Sequence, residues 1–394
     1  MTPGAAGGRE SLASGLYIGV MSGTSMDGVD AVLARADPQG RLTTCATVAP
    51  PFADDLRADL MALQQSGPDE LVRANVAANK LAAQYAFTVD ALLQAARQQA
   101  AGLGQVAARD IVAIGAHGQT VRHRPELGFT VQLLNGALLA ASTGIAVVND
   151  LRSADIAAGG QGAPLAPGYH AAVFGDAHRR RVIVNLGGIG NVSLLAPDRP
   201  VIGYDTGPGN VLMDAWIERH QQQRFDTDGL WAASGRSDPA LLATLQADPY
   251  FALPPPKSTG RDLFDADWLD RQLQRSAAAR PAGSREPDAA SVQSTLADLT
   301  VWSVARACRE FDADEVYICG GGARNRELMR RLTASLAPAR VADTGALGVD
   351  PQSVEALTFA WLARQRLLAR PGNLPSVTGA ARPAVMGALH LPPG

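Results

Sequence analysis

The sequence predicts an α/β protein of two lobes, and three observations carry that expectation. Strand-like apolar runs alternate with long helical stretches along the chain, as in an α/β fold. A strand, a glycine-rich turn and a second strand stand near the N-terminus, and the same layout returns after Arg181. The 394 residues, 46% hydrophobic and 19% charged, supply enough apolar material for two ordinary cores. The repeat is one of layout, since the two halves are not alike in sequence. Two lobes, each offering a turn that grips phosphate, account for both copies.

In chain order, residues 1–14 are rich in Ala and Gly and have neither the basic start nor the apolar run of a signal peptide. Tyr17–Met21 reads as a strand, Ser22-Gly23-Thr24-Ser25 as a turn, and Val29–Leu33 as the returning strand. Residues 54–66 and 69–103 have helical composition. Ile111–Ile114 reads as a short buried strand running into Gly115–Thr120, with a helix over 135–142, a strand over Ile145–Val148 and a loop over 157–168. Val182–Val184 and Val192–Leu195 are strands around the turn Asn185–Asn191. Glu315–Cys319 is a strand ending in Gly320-Gly321-Gly322, helices follow at Asn325–Leu336 and Ser353–Leu368, and a Pro/Gly-rich tail closes the chain. The first lobe is expected over 15–150 plus 353–370 and the second over 151–352, with 1–14 and 371–394 as tails.

Several classes are excluded. A net charge of −3 leaves no nucleic-acid footprint, and no apolar stretch reaches the roughly 18 residues of a membrane helix. The chain therefore reads as soluble and cytoplasmic. Cys45, Cys308 and Cys319 are scattered and read as small buried apolar residues. The only lysines are Lys80, in a helical stretch without glycine, and Lys257, after three prolines; neither suits a P-loop. Gly188-Ile189-Gly190 lacks a third glycine and leads into a strand, against a dinucleotide fold.

The turn Gly23-Thr24-Ser25-Met26-Asp27-Gly28 combines glycines that let backbone N–H groups approach an anion with two hydroxyl donors and a carboxylate suited to Mg²⁺. An ordinary polar β-turn is the competing reading. The turn containing Asn185, Gly187, Gly188 and Asn191 offers the same choice. Asp205 ends an apolar run before Thr206-Gly207-Pro208-Gly209-Asn210; it is either a general base or a turn cap. His117 and Gln119 follow a strand, where ligands bind in open α/β sheets, although a lone His is more often structural. Arg152 lies among carboxylates, either in a solvated ion pair or placed to grip a substrate carboxylate. Gly320, Gly321 and Gly322 admit a flat ligand such as adenosine before the helix at Asn325. Glu355 sits in a first helical turn, which the helix dipole alone would explain.

Taken together, these motifs resemble the anhydro-N-acetylmuramic acid kinases. The run Gly19–Asp30 resembles that family's first phosphate motif, and His117–Thr120, Asn149–Ser153, Asn185–Asn191, Asp205–Asn210 and Gly320–Asn325 follow in order across residues 17–365. Tyr204 stands where many members have Phe. The extension before Leu16 carries none of these motifs. The resemblance implies an actin-like, ribonuclease-H-like ATPase fold of two lobes with ATP in the cleft between them. It implies a reaction that opens a 1,6-anhydro sugar with water and phosphorylates O6, in cell-wall recycling. The nucleotide residues would be Gly23, Thr24, Ser25, Met26, Asp27, Gly28, Val29, Asp30, Asn185, Gly187, Gly188, Asn191, Gly320, Gly321, Gly322 and Asn325. Asp205 matches the family's base and Glu355 a glutamate near the sugar. His117, Gln119, Thr120 and Arg152 are the candidate sugar contacts, and Asp27 and Asp205 the candidate Mg²⁺ carboxylates. The expected partners are ATP, Mg²⁺ and the sugar, with no nucleic acid or membrane; a homodimer stays an open option. The alternatives are another sugar or acetate kinase of the superfamily, or a non-catalytic ATP-dependent switch.

Overall fold

The computed structural model describes residues 12–393 apart from 24, 25, 27, 100–105, 261 and 282. Thr24, Ser25 and Asp27, the N-terminal extension up to residue 11 and the end of the helix expected over 69–103 lie outside the described residues. The strands among the described residues are β1 (Leu16–Met21), β2 (Asp30–Ala36), β3 (Leu42–Val48), β4 (Ile111–Ala116), β5 (Gln119–Arg124), β6 (Phe129–Leu133), β7 (Val147–Asn149), β8 (Arg181–Leu186), β9 (Ile189–Ala196), β10 (Arg199–Pro208), β11 (Glu315–Cys319), β12 (Arg340–Asp343) and β13 (Ala388–His390). The chain divides into two compact units, one running to Val173 and resuming at Ser353, the other covering Phe174–Gln352.

In the first unit the sheet order is β13-β7-β4-β1-β2-β3. β1, β2 and β3 run antiparallel in succession, whereas β4 pairs parallel to β1 and β7 parallel to β4. The helix Glu70–Gln99 buries Ala77, Leu81, Tyr85, Val89, Leu92 and Ala96 in one core cluster with Leu16, Ile18 and Val20 of β1. Those positions recur every three or four residues, which puts them on one helical face. The alternate residues of β1 turn to the other side of the sheet, where the helix Val354–Leu367 lies. That helix approaches unusually closely. A Cβ on Gly19 would strike the Ala356 carbonyl, and one on Gly115 the Phe359 carbonyl. The two glycines are neighbours in register across β1 and β4, so together they form a flat seat for the helix backbone.

In the second unit the order is β10-β9-β8-β11-β12. Again the first three strands in sequence are antiparallel, and β11 and β12 continue parallel to β8. The helix Ala289–Glu310 supplies Val292, Leu296, Leu299, Val304 and Cys308 to the core against Val182, Val184 and Val192. Each fully buried Leu or Val stabilises by roughly 1.5–3 kcal/mol relative to exposure. Both sheets thus share one order, third-second-first-fourth-fifth, with β13 added at one edge of the first. That is the ribonuclease-H-like arrangement, present twice, and the repeated hairpin of the sequence is its first two strands.

The boundaries differ from the expectation. Residues 151–173 group with the first unit, because Asp155 is buried there and accepts hydrogen bonds from Gly162 N (2.7 Å), Asn373 Nδ2 (2.6 Å) and Thr378 Oγ1 (2.7 Å). For the same reason 371–393 is no loose tail. It brings Asn373 and Thr378 to that carboxylate, and β13 pairs with the edge strand β7. The expected loop over 157–168 is shorter, lying between helices Ser153–Ala157 and Ala166–Phe174. No helix of the described residues is long and apolar enough to cross a membrane.

Candidate active site

In the first unit the β1–β2 connection is anchored from beneath. The Ser22 hydroxyl lies 3.0 Å from the Tyr85 hydroxyl and donates to Gly118 O at 3.0 Å. Met26 N donates to Gly23 O at 3.2 Å, and Met26 itself is buried with a φ of 53°. Gly28 makes a bridge to Pro51, where a Cβ would meet the Pro50 carbonyl, and Val29 N donates to Pro50 O at 3.0 Å. Val29 is buried in the core and Asp30 opens β2. The described residues on both flanks of the turn are therefore anchored.

Gln119 reaches the same turn, its Nε2 lying 3.4 Å from Gly23 O. Its Oε1 is buried without a hydrogen-bond partner among the described residues. His117 is tied to β1 through its N–H to Val20 O at 3.0 Å. Arg152, distant in sequence, donates to His117 Nε2 from Nη2 at 2.9 Å and to Gly162 O from Nη1 at 2.7 Å. A guanidinium can only donate, so His117 Nε2 must accept and the proton must sit on Nδ1. Burial, reinforced by the Arg152 charge, pushes His117 down to about 3, so the ring is neutral. The Nδ1–H is then a buried donor with no partner among the described residues. Burial also lowers Arg152 to about 10, opposed by the charges of Asp155 and Glu355. His117, Gln119, Arg152 and Glu355, spread over the sequence, thus belong to one polar neighbourhood of the first unit. Thr120 faces partly outward and its hydroxyl accepts from Gln132 Nε2 at 3.2 Å.

In the second unit the turn is tighter than expected. β8 ends at Leu186 and β9 starts at Ile189, so only Gly187 and Gly188 turn, while Asn185 and Asn191 lie opposite each other in the ladder. The next connection is stapled onto this turn. Gly209 N donates to Gly188 O (2.8 Å) and Asn210 N to Gly187 O (2.9 Å), with Asn210 Nδ2 on Gly187 O at 3.0 Å. Gly320 has a φ of 79°, and its missing Cβ leaves room for the Asn185 side chain; Gly321 has open space around it. Asn325 is the N-cap of the helix Arg326–Leu336, its side chain accepting from Leu328 N at 3.0 Å.

Asp205 lies near the end of β10. Its Oδ2 accepts from Thr259 N at 3.0 Å. Burial pushes the carboxyl up to about 6, and the Thr259 N–H opposes that rise. It is a carboxylate that holds a proton more tightly than one in water, suited to proton transfer near neutral pH. The segment that supplies Thr259 also supplies Tyr250, whose hydroxyl donates to Asp205 O at 2.6 Å, and Lys257, whose carbonyl accepts from Asp205 N at 3.1 Å. The sequence carried no signal for these partners, apart from a rare lysine after three prolines. Among the described residues no cluster of three or more His, Cys, Asp or Glu side chains is arranged to hold a metal ion.

A ribonuclease-H-like sheet occurring twice in one chain, with a glycine turn between its first two strands each time, is the architecture of actin-like ATPases and sugar kinases. A family model described as anhydro-N-acetylmuramic acid kinase matches residues 15–392. Curated relatives bearing that name come from Bordetella petrii (52% identical, covering 98% of each chain), Cupriavidus pinatubonensis (51%, covering 95% of this chain and 98% of the relative) and Pseudomonas putida (50%, 95% and 99%). The chain belongs to the anhydro-N-acetylmuramic acid kinase family.

Proposed function

We propose that the chain is an ATP-dependent kinase that opens 1,6-anhydro-N-acetylmuramic acid with water and transfers the γ-phosphoryl group to O6, yielding N-acetylmuramic acid 6-phosphate for peptidoglycan recycling in the cytoplasm. The observation that carries it is Asp205, a carboxylate raised to about 6 by burial and fixed by one backbone N–H. Such a group takes the proton of a water attacking the anomeric carbon. The bond from that carbon to the bridging oxygen breaks, and the departing O6 attacks the γ-phosphorus, whose bond to the β–γ bridging oxygen breaks to release ADP. Phosphoryl transfer then asks chiefly for positioning and charge neutralisation. In this reading Gly23–Asp30 and the Gly187-Gly188 turn hold phosphates, and Gly320–Asn325 takes the adenosine. The buried Nδ1–H of His117 and Oε1 of Gln119 are a donor and an acceptor awaiting a polar ligand. Arg152 faces the lactyl carboxylate, and Glu355 a sugar hydroxyl.

Mg²⁺ fits the donor set as a companion of ATP. Mg²⁺ keeps several waters and binds one or two carboxylates plus substrate phosphates. Asp27 is the carboxylate this reading reserves for it, Asp205 being kept for the proton, and its chemistry would be to neutralise charge on the transferring phosphoryl group. Purified protein given ATP, Mg²⁺ and 1,6-anhydro-N-acetylmuramic acid is expected to form a product heavier by one water and one phosphoryl group, and excess EDTA to stop it. Phosphorylation of free amino sugars in preference to the anhydro form, or full activity in EDTA, would overturn the reading.

A further inference from the structure

The chain has two lysines, and they are used differently. Lys80 pairs with Asp55 and Asp59, both at 2.8 Å, on the surface. Lys257 turns inward: its Nζ donates to Tyr250 O at 3.1 Å and lies 4.6 Å from the centre of the Tyr250 ring. Tyr250 is in turn wedged edge-on against Phe264, with ring centres 5.5 Å apart and planes at 88°. Its hydroxyl ends on the Asp205 carbonyl at 2.6 Å. β10 is the edge strand of its sheet, so backbone groups on its outer side have no strand to bond with. Residues 250–259 take that place at Asp205: Tyr250 binds its carbonyl, Lys257 its amide and Thr259 its carboxylate. One segment therefore holds the same residue at three atoms.

We propose that Tyr250 is a positioning residue for Asp205, held in place by Lys257, and that its hydroxyl sets the direction in which the Asp205 carboxylate points. The proposal rests on the general-base reading of Asp205. Fixing the carbonyl and amide of a residue fixes the torsions on either side of its Cα, and hence the direction of its side chain. A misplacement of about 1 Å at a reacting group can cost 10²-fold in rate. Nothing in the aromatic packing requires the hydroxyl, since the ring contacts are those of a phenylalanine.

Tyr250→Phe removes the hydroxyl alone. It is expected to lower kcat by about 10- to 10²-fold, with the KM for ATP and for the sugar little changed. The deciding readout is a comparison of backgrounds. Adding Tyr250→Phe to Asp205→Asn should cost nothing further, because a positioning residue has nothing left to position. A wild-type kcat in Tyr250→Phe overturns the proposal. So does an equal fold-loss in both backgrounds, which is the mark of a merely structural role. If near-ultraviolet circular dichroism shows Tyr250→Phe unfolded, Lys257→Met takes its place in the same comparison, with the same outcomes deciding. Wild-type kcat in Asp205→Asn alone would sink the general-base reading itself. Loss in Asp205→Asn with none in Tyr250→Phe would sink only the positioning role.

Discussion

Burial, with no charged neighbour prominent, sets the proton affinity of Asp205, and that makes its behaviour predictable. A base works unprotonated, so kcat/KM should be flat above about pH 6 and fall about tenfold per unit below it. A pH–rate profile with no acidic limb near that value would remove Asp205 from the proton transfer. Asp205→Asn keeps the shape and the bond from Thr259 N but cannot take a proton. It should lower kcat by at least about 10²-fold while ATP affinity, measured by calorimetry, stays close to wild type. Arg152 makes a second prediction at this scale. Its guanidinium already bonds His117 Nε2 and Gly162 O, and its remaining N–H groups are those left for a carboxylate ligand. Arg152→Ala should therefore raise the KM for the sugar far more than that for ATP. Equal changes in both would assign Arg152 to holding His117 and nothing else.

The elements were legible where their signal is local. Glu315–Cys319 is a strand as expected, because a short apolar run bounded by an acidic residue and three glycines has few other readings. Both glycine turns were visible in composition, but the second was read too wide. Asn185 and Asn191 favour turns in isolation, and only ladder pairing reveals them as strand residues. β3, β13 and the β5–β6 hairpin escape a reading of the sequence, being short and partly polar, and β13 also takes its partner β7 from far back along the chain. The His117–Arg152 pair and the Tyr250–Asp205 bond were hidden for the same reason. Gly19 and Gly115 were visible as letters, but the helix that needs them comes from the end of the sequence. Their role makes a prediction at this scale. Gly115→Ala would drive a methyl group into the Phe359 carbonyl, which the helix can relieve only by lifting off the sheet. Overpacking of this kind costs about 1–3 kcal/mol. The denaturation midpoint should fall by that amount divided by the slope, with the slope itself unchanged, and a wild-type midpoint would show that the helix is not seated on that glycine. Phe359 also lies 4.9 Å from the His117 ring, so a lifted helix should disturb that ring as well.

At the scale of the whole molecule, the two units should respond differently to acid. His117 and His170 are buried, at 8% and 1% exposure, and both belong to the first unit. Burial pushes each down to about 3 from an ordinary value of 6.5. The unfolded chain therefore binds these protons more tightly than the folded one, so acid favours unfolding. Their cost is absent above about pH 6.5 and grows as pH falls from there toward 3, by about 1.4 kcal/mol per pH unit for each ring. At pH 5 the two together should take roughly 4 kcal/mol from the first unit, a large part of an ordinary folding stability of about 5–15 kcal/mol. The second unit has a different acid-sensitive group. Glu327 is held down to about 2 by its hydrogen bonds from Arg330, with Arg331 adding to them. Its contribution is fully present above its ordinary 4.5 and is lost only as pH falls from there toward 2. Between pH 6.5 and 4.5 the destabilisation should thus be confined to the first unit. Hydrogen exchange followed by mass spectrometry across that range tests this directly. Peptides from β1, β4 and the Glu70–Gln99 helix should lose protection first, while those from β8, β11 and the Ala289–Glu310 helix keep theirs. Loss of protection in the second unit at the higher pH, or simultaneous loss in both, would show that the buried histidines do not govern acid stability.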